Sequence, residues 1–96
     1  MKVYGFYTGN EVIEIGIDEK HNLFMRHPKI TDNVFRKFSA KLFSKDIEQR
    51  KKAEVMLRVL KKKIETYDEA DFDNYVISDI QDKLGFEFVG KKNDTT

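Results

Sequence analysis

The run from Ser44 to Tyr67, SKDIEQRKKAEVMLRVLKKKIETY, constrains this chain most, because its pattern suits one element only, a long amphipathic helix. Ala53, Leu57, Leu60, Ile64 and Tyr67 recur at spacings of four, three, four and three, and Met56 widens the same stripe. Burial of each large member stabilises a fold by about 1.5–3 kcal/mol, so this helix is expected to be the main rod of the core. Ser44 is placed to cap its N-terminus, with Asp46 and Glu48 complementing the dipole there and Lys61, Lys62 and Lys63 at the other end. Val55 and Val59 fall on a different face and are too apolar for full solvation. A second element or a partner is expected to cover them.

The same helix concentrates positive charge. From Lys45 to Lys63 there are eight bases against three acids, a local net of +5 (8 − 3). After Tyr67 the sign reverses: Glu65 to Glu87 holds eight acids and a single base, Lys83, a local net of −7 (1 − 8). These clusters nearly cancel, for the whole chain carries a formal charge of only +1. The acidic stretch is itself helical in pattern, with Phe72, Val76, Ile77, Ile80 and Leu84 inside and Gly85 where a C-terminal glycine belongs.

Ahead of the helices lie two alternating stretches, Lys2 to Thr8 and Glu11 to Asp18, joined at Gly9-Asn10, a pair suited to a hairpin turn. A two-residue loop sets Tyr7 opposite Val12, Phe6 opposite Ile13 and Tyr4 opposite Ile15. One side then carries Tyr4, Phe6, Ile13, Ile15 and Ile17, which must be covered. The other carries Val3, Gly5, Tyr7, Val12, Glu14 and Gly16 and is thin. Leu23 to Arg26 reads as a short third strand ended before Pro28, and Thr31 as the cap of a further helix over Asp32 to Phe43. In that helix Val34, Phe35, Phe38 and Leu42 would face inward, with Arg36, Lys37 and Lys41 outside. Phe86 to Val89 alternates and is expected to return as a last strand on the sheet.

The expected fold is therefore α+β. A three- to four-stranded antiparallel sheet, made of the N-terminal hairpin, a short third strand and a C-terminal strand, is covered on one face by about three helices. Ninety-six residues suffice for one domain, placed at residues 1–90, with 91–96 as a flexible tail. The absence of cysteine removes disulfides and thiolate chemistry and suits a reducing compartment, so a cytoplasmic location is expected. No apolar run approaches bilayer length, and no membrane partner is expected. Frequent Lys, Asn, Ile and Phe with no Trp resemble the residue usage of an AT-rich bacterial or phage gene.

Catalytic chemistry finds little footing. His21 and His27 flank the third strand near Asp18, but two imidazoles without a third ligand at fixed spacing make a poor metal signature. Asp68-Glu69-Ala70-Asp71 spells a helicase motif without the phosphate-binding loop it requires, and Asp71-Phe72-Asp73 begins a calcium loop lacking its glycine and distal glutamate. No serine lies in a glycine elbow. Neither an enzyme, a metal nor a cofactor is expected.

What remains is the surface. Asp79 and Asp82 flank Tyr75 on the acidic helix with Asp71 one turn earlier, a face suited to a basic protein surface. The first expectation is a small protein-interaction module, a regulator or inhibitor encoded by a phage or mobile element. The alternative is nucleic-acid binding through Arg50, Lys51, Arg58, Lys61 and Lys62 on the basic helix over residues 45–63. Homodimerisation is a variant, through Val55 and Val59 or an uncovered sheet edge. Against all of these stands the plain reading, in which the two charged helices neutralise each other across their seam.

Overall fold

The computed structural model describes residues 1–27, 33–39 and 46–92. Its strands, β1 (Lys2–Tyr7), β2 (Val12–Ile17), β3 (Leu23–Arg26), β4 (Arg36–Lys37) and β5 (Glu87–Lys92), form one open antiparallel sheet in the order β4-β3-β2-β1-β5. Two helices, α1 (Ile47–Ile64) and α2 (Phe72–Leu84), follow β4, linked by a single 3₁₀ turn at Glu69–Asp71. The architecture is α+β, with five strands where three or four were expected, and two helices in place of about three among the described residues.

The hairpin register is the one its alternation dictates, with Tyr4 opposite Ile15, Phe6 opposite Ile13 and Tyr7 opposite Val12. Thr8 N–H bonds to the Glu11 carbonyl at 3.0 Å and closes the loop over Gly9-Asn10. The inner face buries Tyr4, Phe6, Ile13, Ile15, Ile17, Leu23 and Met25 in one cluster with Leu60, Ile64, Phe72, Val76 and Ile80 of the helices. On the outer face Gly16 leaves room for Met1 and for the Phe35 ring, whose Cε1 would lie 3.2 Å from an added Cβ. That ring also carries the Arg26 guanidinium at 4.4 Å, and Arg26 is bound bidentately to Glu14, its partner across the strands.

One expected helix is overturned where the structure describes it. Residues 33–39 hold no helix: Asn33 takes a left-handed conformation (φ +63), Arg36 and Lys37 pair with Met25 and Phe24, and the Phe38 N–H bonds to the Leu23 carbonyl at 2.9 Å. The edge of β3 offers unpaired backbone groups, and satisfying them outweighs the local helical pattern. Val34, expected inside, is exposed, whereas Phe38 is buried as expected. Leu42 and Lys41 lie outside the described residues, as do Thr31 and Ser44. Asp46 rather than Ser44 caps α1, its Oδ1 accepting the Glu48 N–H at 3.0 Å. The helix then ends at Ile64, before Tyr67.

Of the core stripe on α1, Leu60 and Ile64 are buried and Met56, Leu57 and Tyr67 half-buried, while the Ala53 side chain lies outside the described residues. α2 buries Phe72, Val76 and Ile80, and Gly85 ends it in the left-handed conformation expected of a C-terminal glycine. The last strand extends past Val89 to Lys92, so Lys91 and Lys92, read as the start of a tail, pair with Tyr4 and Val3. Residues 93–96 lie outside the description.

Candidate functional site

The helical layer has two halves. α1 lies on the β3 side, where Lys61 Nζ reaches Asn22 Oδ1 at 3.4 Å. α2 lies over β1 and β5: Tyr4 Oη donates to Asp73 Oδ1, Lys91 Nζ binds Asp73 Oδ2 at 2.7 Å, and the Phe88 N–H donates to Gln81 Oε1 at 3.0 Å. These contacts fix which side of each helix remains for solvent.

On α2 the outward stripe is Asp71, Tyr75, Asp79 and Asp82, at spacings of four, four and three. Asp71 and Asp82 are exposed, and Tyr75 is 50% exposed. Its ring is backed by Tyr67, with centroids 5.1 Å apart, which holds an aromatic surface in place beside the acids. Asp79 is half-buried, and its Oδ2 is shielded from solvent without a hydrogen-bond partner. A shielded carboxylate oxygen lacking a donor is an unfavourable arrangement.

On α1, Lys51, Arg58 and Lys62 share an outward stripe with Val55, and Lys52, Val59 and Lys63 lie beside it. Val55 is 55% exposed and Val59 43% exposed. The expectation that a second element of the fold covers them fails among the described residues. Arg50 is half-buried, and the exposed Lys61 lines the groove that α1 makes with β4. There Lys37 and Arg58 line two adjoining concavities of about 450 and 150 Å³ with Phe38 and Leu57, the larger joined by Glu54 and the smaller by Lys61. The local sequence pattern puts Lys37 on the outside of a helix, and its part in this groove depends on β4, which that pattern conceals.

The direct pairing that mutual neutralisation would use does not occur among the described residues. Among the described residues, ion pairs join Lys2 to Glu69, Arg26 to Glu14, His27 to Glu11 and Lys91 to Asp73, and none joins a base of α1 to an acid of α2. The helices meet through apolar and aromatic side chains, and Lys51, Arg58 and Lys62 of α1, with Asp71 and Asp82 beside and on α2, are exposed.

The histidines separate. His21 sits in the β2–β3 turn with a left-handed backbone (φ +64), its ring 6.1 Å from that of Phe72. His27 lies beyond the far end of β3, buried, with Nε2 2.7 Å from Glu11 Oε2. Asp18 is already committed, accepting from Lys20 N–H, Asn22 N–H and the Asn22 side chain. The Asn22 backbone bond, opposed by some desolvation, leads in holding its carboxyl below the usual range. A concavity of about 350 Å³ beside this turn is lined by Lys2, Asp18, His21, Glu69 and Phe72, with the Lys2 ammonium 4.2 Å from the Phe72 ring and paired to Glu69. Among the described residues no three His, Asp or Glu side chains gather as a metal site would require.

Compared with known protein families, curated proteins and solved structures, the chain matches none. No helix among the described residues is long and apolar enough to cross a membrane. The functional reading therefore rests on surface chemistry alone.

Proposed function

We propose that this chain is a small non-enzymatic protein-interaction module whose contact face is the acidic, tyrosine-bearing side of α2. The observation that carries the reading is the absence, among the described residues, of any ion pair between α1 and the acids of α2. Asp71 and Asp82 stay in solvent around Tyr75, a half-exposed aromatic braced by Tyr67. An aromatic anchor with a charged rim is the usual anatomy of a binding hot spot, and tyrosine is enriched there. The complementary partner surface is basic. Affinity capture with the wild-type chain, followed by titration of the captured protein, tests this. Asp71→Lys/Asp82→Lys and Tyr75→Ala should each weaken binding at least about tenfold, the cost of losing a hot-spot contact, while thermal unfolding stays near wild type. Unchanged affinity in both variants would remove this face from consideration.

A second reading is favoured by one specific arrangement, the convergence of Lys37, Arg58 and Lys61 on the groove beside α1. With Lys51 and Lys62 they form a cationic track suited to nucleic-acid phosphates. If about five phosphates are neutralised, log affinity falls against log salt with a slope near −4 to −5. Titration of a fluorescent oligonucleotide at two salt concentrations measures the slope, and no binding at low salt would end this reading.

A further inference from the structure

We propose that the chain forms a two-fold symmetric homodimer in which the basic face of α1 in each copy seats on the acidic, tyrosine-bearing face of α2 in the other. The inference deepens the α2 reading above and rests on it, since it names a partner for that face. Both faces belong to one helical layer, point away from the sheet and carry opposite signs. A two-fold axis running along the helices and between them places α1 of one copy over α2 of the other, twice. The alternative axis, across the helices, stacks lysines on lysines and is repulsive. A net charge of +1 leaves little overall repulsion between copies.

The contact would also have an apolar centre. Ile47, Val55, Val59 and Tyr75 are exposed large apolar side chains on this layer, Val55 and Tyr75 within the charged stripes themselves, and the sequence alone gives no reason for two valines in solvent there. The thirteen residues of α2 span about 20 Å and set the length over which α1 of one copy can lie on α2 of the other; with two helices side by side covering about 20 Å, each copy contributes roughly 400 Å². The total of about 800 Å² is below the usual size of stable specific interfaces, which implies a weak, salt-sensitive dimer.

The sheet edges make poorer docking surfaces. Along β5 the Phe88 N–H is already taken by Gln81, Val89 bulges out of register, and Lys91 and Lys92 flank the strand. At the other edge β4 offers only Arg36 and Lys37. Short, bulged and lysine-bearing edges are the features that prevent strand-on-strand association.

The test is sedimentation equilibrium of the full chain at low salt, with four samples. Wild type should approach twice the monomer mass at high micromolar concentration, and a tenfold rise in salt should weaken association about tenfold or more. Arg58→Glu/Lys62→Glu and Asp71→Lys/Asp82→Lys should each be monomeric, with affinity lowered about a hundredfold by like-charge juxtaposition. All the substituted residues are exposed, so each variant should fold, which circular dichroism of each sample checks. An equimolar mixture of the two variants should dimerise again, since each basic face then meets an acidic one. The proposal is overturned if wild type is monomeric throughout, if either variant still dimerises alone, or if the mixture stays monomeric. Failure here is separable from failure of the α2 reading. Arg58→Glu/Lys62→Glu leaves α2 intact and should retain the captured partner, whereas Asp71→Lys/Asp82→Lys should lose both.

Discussion

At the scale of single residues, the least expected contact is the one beneath α2, where Tyr4, Asp73 and Lys91 meet. Tyr4 belongs to the buried inner face of the sheet, yet its phenol reaches Asp73 while the second carboxylate oxygen takes Lys91 at 2.7 Å. Burial, reinforced by the bond to Asp73, pushes the Tyr4 phenol well above its ordinary value, so it remains a donor. Burial by itself would raise Asp73 too, but the hydrogen bonds from Lys91 and Tyr4 outweigh it and hold the carboxyl below its usual range. A carboxyl depressed on folding stabilises the fold fully above its unfolded pKa of about 3.9, and loses that contribution as pH falls through the lower folded value. Unfolding by urea between pH 7 and pH 2 should therefore show a decline that is shallower in Asp73→Asn. Tyr4→Phe should cost about 1.5–3 kcal/mol at neutral pH, the usual worth of a hydrogen bond to a charged group. An unchanged urea midpoint in Tyr4→Phe would show that the bond contributes nothing net. None of this cluster is legible in sequence, because Tyr4 reads like its neighbour Phe6 in an alternating strand and Asp73 like any acid in a helix's first turn.

At the scale of elements, legibility follows how local the deciding forces are. Hairpin register depends on a two-residue turn and a period of two, both written in adjacent residues, and it emerges pair for pair. The end of α2 is equally local. Gly85 holds φ +70, and a Cβ placed there would meet nothing within 4 Å. The penalty of Gly85→Ala is thus backbone strain alone, about 1 kcal/mol, and should shift the urea midpoint without changing the slope. Asp46→Ala should cost a similar amount by removing the cap of α1. Residues 33–39 show the opposite case. Phe35 and Phe38, three apart, imitate a helical face, but one ring lies over Gly16 on the outer surface of the sheet and the other enters the core below β3. What decides between helix and strand there is the open edge of β3, several turns of chain away, and no window of neighbouring residues contains it. The candidate site divides in the same way. The α2 stripe was readable from its spacing, whereas Lys37 joins the groove only because β4 exists.

At the scale of the whole molecule, the sheet is closed by segments from opposite ends of the described chain. β1 lies between β2 and β5, so the strand beginning at Lys2 cannot complete its pairing until Glu87–Lys92 is present. Phe88 packs edge-on against Phe6, with centroids 5.7 Å apart, and Lys91 ties β5 to Asp73 of α2. Such long-range pairing makes loop closure a large part of the folding barrier and slows folding relative to a helical bundle of this size. It also predicts an order of local stability. Amides of β1 and β2, paired on both sides along a buried face, should exchange only through global opening, while β4, two residues long and at an edge, should open far more often. Hydrogen exchange read by NMR under native conditions would show this as a protection gap of about a hundredfold or more, equivalent to at least roughly 2.7 kcal/mol. Equal protection in β1 and β4 would mean that the sheet opens as a single unit. The slow core then lies on the strand side, and the charged helical layer is carried on a platform that does not depend on it for register. Substitutions on the outer faces of α1 and α2 can therefore alter binding while leaving the rest of the fold in place.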